Sequence, residues 1–449
     1  MATLKEDIDS KGKLSGLRVA VATLGCKVNQ CESAGIAEGL AASGMTLVPF
    51  AEAADCYVIN TCTVTGSTDS QSRQLIRRAT RRNPEAAVLV TGCYAQRAPE
   101  EIARIPGVRF IAGTAEKEQI TDILREMTAG GPLIRVGDIH TARAFSRLEA
   151  TAFPEHTRAF LKIQDGCDAF CSYCIVPHVR GTSRSLPPAE VEERITALAQ
   201  TGYREVVLTG IHLGAWGRDL LPQTDLAALV RKIVEGGTVK RLRLSSVEPQ
   251  EVTDSLICLL GRSGTVCRHL HIPLQSGNDG ILAAMRRNYD AAFFRDLLRR
   301  IHEAVPGVAV GIDVMAGFPG ETEEAFDDTL HLIEETPIAY LHVFPYSRRP
   351  GTPAATISGQ VPEEEKKRRT ERLRAVGTVK RRKFAEQFIG MPLRVLVEDR
   401  TDKITGFPIG FSDNYIPVAI RSRVPANQIA RVMPERFHEG RLIADVIPK

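Results

Sequence analysis

Hydrophobic and polar positions fall into three successive textures along the chain. Up to about residue 145, short apolar, β-branched runs ("RVAVATLGC", "DCYVINTC", "AAVLVTGC") alternate with helix-like segments ("ESAGIAEGLAASG", "SRQLIRRATRRNP", "APEEIARI"). That alternation predicts a parallel sheet covered by helices on both faces. Each run ends in a cysteine, Cys26, Cys62 and Cys93, at spacings of 36 and 31 residues. Ligands of such sheets gather at the carboxyl ends of the strands, so the three thiols are expected to converge on one point.

A polar link, "TARAFSRLEATAFPEHTR", leads into the second texture, where "AFLKIQDGC", "EVVLTGIHL", "RLRLSSVEP", "RHLHIPLQ", "VAVGIDVMAGF" and "AYLHVFPYS" again alternate with helical segments. Six or so strand-to-helix units predict an open or partial (β/α) barrel, with its site residues just after the strands. Further on, "LRVLVEDRTDKITGFPIGFSDNYIPVAI" and "GRLIADVIP" alternate with turn residues and lack a helical period. They predict a small antiparallel β-barrel of a kind often used on nucleic acid. The expected fold class is α/β: behind a loose tail at 1–16 come a parallel-sheet domain at 17–145, a partial (β/α)6 barrel at 150–380 and a terminal β-barrel at 386–449.

Composition agrees with this division. A chain of 449 residues exceeds what one core organises. No apolar run approaches a membrane span, and the polar start "MATLKEDIDSKGKLSG" is no signal peptide, so a cytoplasmic protein is expected. Ten cysteines are too sparse for a disulfide scaffold and favour metal or catalytic roles in a reducing compartment. The net charge of +4 is uneven: residues 361–383 carry ten Lys or Arg against four Glu, and the rest of the chain is about neutral. Taken alone that segment reads first as a solvated helix face; it also suits a polyanion.

The densest chemistry is "QDGCDAFCSYCIVPHVRG", which places Cys167, Cys171 and Cys174 within eight residues. A C-x3-C-x2-C loop can hold three irons of a [4Fe–4S] cluster and leave the fourth open to a substrate. Zinc is the competing reading, against which stands the absence of paired C-x2-C knuckles. "GFPGET" (317–322) reads as a glycine turn with a helix N-cap and matches no phosphate-binding loop. His269 and His271 alternate on one strand and are expected as a buried hydrogen-bonded pair. Cys56, Cys258 and Cys267 are expected as core or incidental thiols.

The cysteine loop, with Tyr173 before its third thiol, resembles the signature of the radical S-adenosylmethionine superfamily. "TLGCKVNQCES", "INTC" and "TGCYAQ" resemble the methylthiotransferase domain; "HIPLQSG", "GFPGET" and "YSRRPGTPA" resemble its radical core, and the C-terminal part the RNA-binding TRAM barrel. "TLGCKVNQ", "LTGIHLGAWG" and "RLRLSSVEP" look most like the branch that modifies threonylcarbamoyladenosine in tRNA. They look less like the isopentenyladenosine or ribosomal-protein aspartate branches.

The resemblance implies a radical cluster on Cys167, Cys171 and Cys174, whose open iron is chelated by S-adenosylmethionine. It implies a second [4Fe–4S] cluster on Cys26, Cys62 and Cys93 that presents sulfur, and a second S-adenosylmethionine as methyl donor. The implied product is 2-methylthio-threonylcarbamoyladenosine beside the anticodon, formed by a 5′-deoxyadenosyl radical that takes hydrogen from carbon 2 of the base. Tyr173, Thr209, Gly210, Ser245, Glu248, Gln275 and Asp313 are the expected cofactor-side residues, each equally readable as an ordinary packing residue or loop cap. RNA contacts are expected from Arg73, Arg77 and Arg81 at i, i+4, i+8, from the basic segment 366–383 and from the terminal barrel. Arg348 or Arg349 is the expected partner of the substrate's carboxylate. The partners would be tRNA and an electron donor such as flavodoxin or ferredoxin, with the sulfur donor left open. Cys31 departs from the aromatic residue usual in "NQCES" and is read as a spectator. A non-catalytic iron–sulfur or zinc protein that binds RNA is the rival of another class.

Overall fold

The structure, a computed structural model, describes residues 14–126, 133–148, 150–153 and 156–448. Most of the expected N-terminal tail (1–13) and part of the polar link lie outside the described residues. The first part is a six-stranded parallel sheet in the order β2-β1-β3-β4-β5-β6, built from β1 (Arg18–Thr23), β2 (Thr46–Leu47), β3 (Cys56–Thr61), β4 (Ala87–Gly92), β5 (Val108–Ala112) and β6 (Leu133–Arg135). Every residue of β3 and β4 is buried, as two-sided helical cover demands. Helices α1 (Lys27–Ala42), α2 (Gly66–Arg82) and α3 (Cys93–Arg97) each follow a strand end. In α2 the Thr65 and Thr68 side chains form a reciprocal N-cap that sets where the helix starts.

The central part carries β7 (Ala159–Lys162), β8 (Glu205–Thr209), β9 (Arg241–Leu244), β10 (His269–His271), β11 (Ala309–Ala316) and β12 (Tyr340–Pro345), in two parallel sheets ordered β9-β8-β7 and β10-β11-β12. Isolated parallel bridges, Leu242 to Val266 and Ser246 to His271, join the sheets into an open partial barrel. A single large apolar core spans it. The N-terminal sheet domain touches both rims of the opening: α1 lies against β7, while near the end of β12 the Ser347 hydroxyl accepts from the Gly66 amide at 2.9 Å.

The last part is a closed barrel of β13 (Leu393–Thr401), β14 (Pro408–Ser412), β15 (Pro417–Ile420), β16 (Ile429–His438) and β17 (Arg441–Val446), in the order β13-β14-β15-β17-β16. It docks on the amino ends of the central strands. Arg241 and Arg243 donate to the carbonyls of Phe411, Ser412 and Asp413 at 2.9–3.2 Å. Tyr415, at φ +64°, wedges against His269 and Phe411 with ring centroids 4.7 and 5.0 Å apart.

Helix α4 (Val176–Arg180) follows the cysteine loop after β7, and α5 (Glu323–Glu335) is capped by Thr322, as "GFPGET" predicts. The basic run forms α6 (Glu363–Glu386), and here the structure corrects the sequence reading. Lys366, Arg368, Arg369 and Arg372 are spent on Glu321, Glu323, Asp327, Glu363 and Glu365, so the first half of the run binds α6 to α5 and its approach. Among its basic residues Lys367, Arg374, Arg381, Arg382 and Lys383 remain exposed.

Candidate active site

Cys26, Cys62 and Cys93 stand at the carboxyl ends of β1, β3 and β4, which are adjacent in the sheet, so their convergence follows from strand order. Electrostatic coupling links all three thiols. Gly25 makes the approach possible: at φ +101° a Cβ there would lie 2.8 Å from the Cys62 Cβ and 2.9 Å from its Sγ. The second trio lies on the loop after β7, where the Cys174 amide donates to the Cys171 carbonyl at 3.0 Å and folds the loop on itself. The two trios are neighbours, since Cys93 packs on Ile175 and Val179, the former adjacent to Cys174.

Between them lies a buried ionic network. Glu32 of α1 is held by Lys117, Lys162 and Arg180, and Asp165 by Lys162 at 3.2 Å and Arg180 at 3.4 Å. Arg180 also donates to Asn29 and, through Nε, to the Cys93 sulfur at 3.3 Å. Three cations face two carboxylates, and the surplus positive charge lies against the Cys93 sulfur. Burial pushes the Cys62 thiol up to about 11 and the Cys174 thiol up to about 12. Such thiols release their protons to a bound cation and not to water. Two sets of three thiols, one at adjacent strand ends and one on a single loop, fit two iron–sulfur clusters that each keep an open iron.

Beside Cys171 opens a cavity of about 450 Å³, lined among others by Ser183, His212, Glu248, Glu251 and Arg287. Arg287 pairs with Glu248 and donates to the Cys171 sulfur at 3.3 Å. His212 Nδ1 lies 3.6 Å from Cys167 Sγ, and its Nε2 lies 2.9 Å from Glu251. Thr209 is buried at the end of β8; a Cβ on Gly210 would lie 2.8 Å from Gln164 Oε1, the acceptor for the His212 amide at 2.7 Å. Ser245 is buried and its hydroxyl has no partner in the protein among the described residues, as a ligand-facing group would. The cavity's mixed charges suit the zwitterionic end of S-adenosylmethionine; of the expected cofactor-side residues, Glu248 lines it.

Other expected residues stand differently. Tyr173 packs its ring edge-on to Phe318 in a small apolar cluster. Gln275, at φ +65°, donates its amide to the Asp313 carbonyl and accepts from Met315, a strained left-handed position of the kind that gathers at functional sites. Asp313 is not at a strand end: it sits mid-β11 between His271 Nε2 at 2.9 Å and His342 Nδ1 at 3.4 Å. Burial raises its carboxyl, but hydrogen bonds from the two imidazoles outweigh this and hold it well below the ordinary carboxylate range. His269 and His271 both meet the Tyr340 hydroxyl, at 2.7 and 3.3 Å, as a buried hydrogen-bonded pair.

The arginines need the largest correction. Arg349 is buried on Asp69 and Thr63 at 2.7 and 2.8 Å, sharing that carboxylate with Arg97, so it ties the loop after Cys62 to the end of β12 and is not free for a substrate. Arg348 donates to the Ala355 carbonyl. Arg73 is drawn onto the Tyr94 hydroxyl at 3.0 Å, whereas Arg77, Arg78 and Arg81 are exposed. Cys31 is buried among residues of the central core. Sequence reasoning missed Glu32, Arg180, His212 and Arg287. Only His212 left a signal, standing three residues after the end of β8.

These features define a radical S-adenosylmethionine enzyme. Residues 161–333 match the Radical SAM superfamily, and residues 18–113 match the uncharacterized protein family UPF0004. The radical S-adenosylmethionine methyltransferase TsrM from Kitasatospora setae, solved with cobalamin and a [4Fe–4S] cluster, shares the fold at a TM-score of 0.56 and 16% identity over 75% of this chain and 77% of its own. The chain is 44% identical to the threonylcarbamoyladenosine tRNA methylthiotransferase MtaB of Bacillus subtilis over 90% of both proteins. It is 35% identical to that of Aquifex aeolicus over 93% of this chain and all of the relative. It belongs to the family of threonylcarbamoyladenosine tRNA methylthiotransferases.

Proposed function

We propose that the protein inserts sulfur at carbon 2 of threonylcarbamoyladenosine beside the anticodon of tRNA and methylates it. The observation that carries this reading is the apposition of two three-thiol sites through Cys93, Ile175 and Arg180. Cys167, Cys171 and Cys174 would hold the cluster that cleaves S-adenosylmethionine, and Cys26, Cys62 and Cys93 the cluster that carries sulfur. Bound there, these groups supply a carbon radical that removes hydrogen from the base and a sulfur to replace it.

The chain's own residues do the rest. Arg287 orients Glu248 and the Cys171 sulfur, and His212 spans Cys167 and Glu251. Thr209, Gly210, Ser245 and Gln275 line the strand ends that would receive S-adenosylmethionine. The Glu32–Arg180 network seats the two domains and excludes water between the sites. Arg77 and Arg81, the exposed end of α6 and the terminal barrel are the RNA-facing surface, through charge neutralisation. Among the described residues no helix is long and apolar enough to cross a membrane; we place the protein in the cytoplasm, with a flavodoxin or ferredoxin as reductant.

The test is to incubate anaerobically reconstituted protein, reductant and S-adenosylmethionine with tRNA bearing threonylcarbamoyladenosine or isopentenyladenosine, then weigh the nucleosides. A mass gain of one methylthio group on the first substrate is expected. Modification of the isopentenyl substrate alone rejects the reading.

A further inference from the structure

A second cavity, of about 700 Å³, lies where the three parts meet, bordered by Lys27 of α1, His156 and Arg158 before β7, and Glu398, Arg400 and Tyr415 of the terminal barrel. Its cations are unequal. Arg158 and Arg400 share Glu398, at 3.0 and 2.5 Å, and Arg158 also stacks over Phe411 and Tyr415. Deeper in, Arg241 and Arg243 share the single carboxylate of Glu205. Lys27 has no anionic or hydrogen-bonding partner among the described residues, although it is the residue after Cys26.

The same charges act on the Tyr415 phenol: burial raises it, but Arg158, Lys27 and Arg243 outweigh this and hold it below its ordinary value. With Asp399 also on its wall, the cavity's Lys27, Arg158 and Arg400 outnumber its two carboxylates, and Arg241 and Arg243 behind it outnumber Glu205.

We propose that Lys27, with Arg158 behind it, is the seat for the carboxylate of the substrate's threonyl group. This rests on the functional reading above, and it replaces Arg348 and Arg349. In adenine, carbon 2 and N6 flank N1 on one edge, so a base with carbon 2 at the Cys26 site carries its N6 substituent alongside that site, where the residue after Cys26 stands. The same lysine works against a neutral, apolar N6 substituent, which would cover the exposed ammonium without pairing it.

The experiment uses reconstituted protein and an anticodon stem-loop carrying either threonylcarbamoyladenosine or the same nucleoside with its carboxylate converted to a methylamide. Wild type is expected to bind the amide about ten- to a hundredfold more weakly, the worth of one charge-assisted hydrogen bond. Lys27→Gln should lose that factor on the carboxylate RNA and nothing further on the amide, while Lys27→Arg restores part of the preference. Iron content and 5′-deoxyadenosine release verify that each variant is loaded. If Lys27→Gln fails to load, Arg158→Gln decides by the same loss of preference. A Lys27→Gln protein, or in its place Arg158→Gln, that still prefers the carboxylate by the wild-type factor overturns the proposal. Wild type that modifies neither RNA rejects the functional reading, and the carboxylate seat falls with it.

Discussion

The guanidinium of Arg180 donates to the sulfur of Cys93 at 3.3 Å, although 87 residues separate them. Arg180 ends the short helix after the C-x3-C-x2-C loop, and Cys93 opens α3 directly after β4 of the N-terminal sheet. One side chain thus reaches from the helix after the second thiol site to the first, and shares the ionic contact between their domains with Lys162 and Arg349.

Replacing Arg180 by Met should therefore destabilise more than a surface change would. It removes buried donors to Glu32, Asp165 and Asn29, at a cost of about 1–3 kcal/mol for each buried acceptor left unsatisfied. The single tryptophan, Trp216, is fully buried in the central part and reports its unfolding by fluorescence in urea. An unchanged midpoint would mean that the network contributes nothing net.

The two trios should separate chemically. Cys171→Ala is expected to abolish 5′-deoxyadenosine formation, and Cys62→Ala to retain some of it while stopping sulfur insertion. Each should lose about four of about eight irons per chain after reconstitution. Zinc without sulfide in the wild type would contradict both.

Gly25→Ala should behave like Cys62→Ala, with no thiol removed. The added methyl falls 2.8–2.9 Å from the Cys62 side chain, at a φ that disfavours any Cβ. Iron counting should show about half the wild-type content, with S-adenosylmethionine cleavage retained. Full iron content would show that Cys62 can shift without losing its ligand position.

Glu205 sets a pH dependence. Burial raises its carboxyl, but Arg243 and Arg241 outweigh this and hold it below the ordinary range. Its contribution is thus complete above the unfolded value of about 4.3 and is lost as pH falls through the lower folded value. Glu205→Gln should destabilise the central part by about 3–5 kcal/mol at neutral pH. The gap from wild type should narrow below about pH 4 in urea titrations followed by Trp216.

By itself, the sequence determined the local features. Buried parallel strands show as continuous β-branched runs, and a metal loop shows as close thiol spacing, because both depend on neighbours in the chain. The three-part architecture and both cysteine trios were therefore legible, and strand adjacency then brought Cys26, Cys62 and Cys93 together. Only the tertiary structure decided how charges pair. Arg349 reads as a free cation in "YSRRPG" but is consumed by Asp69, 280 residues away, and half of the basic run is consumed by α5 and its approach. Nothing in the sequence marks Lys27, which among the described residues is left without a side-chain partner at a three-way junction. A charge is free or spent according to what lies within a few ångströms, and for long-range pairs the fold decides that.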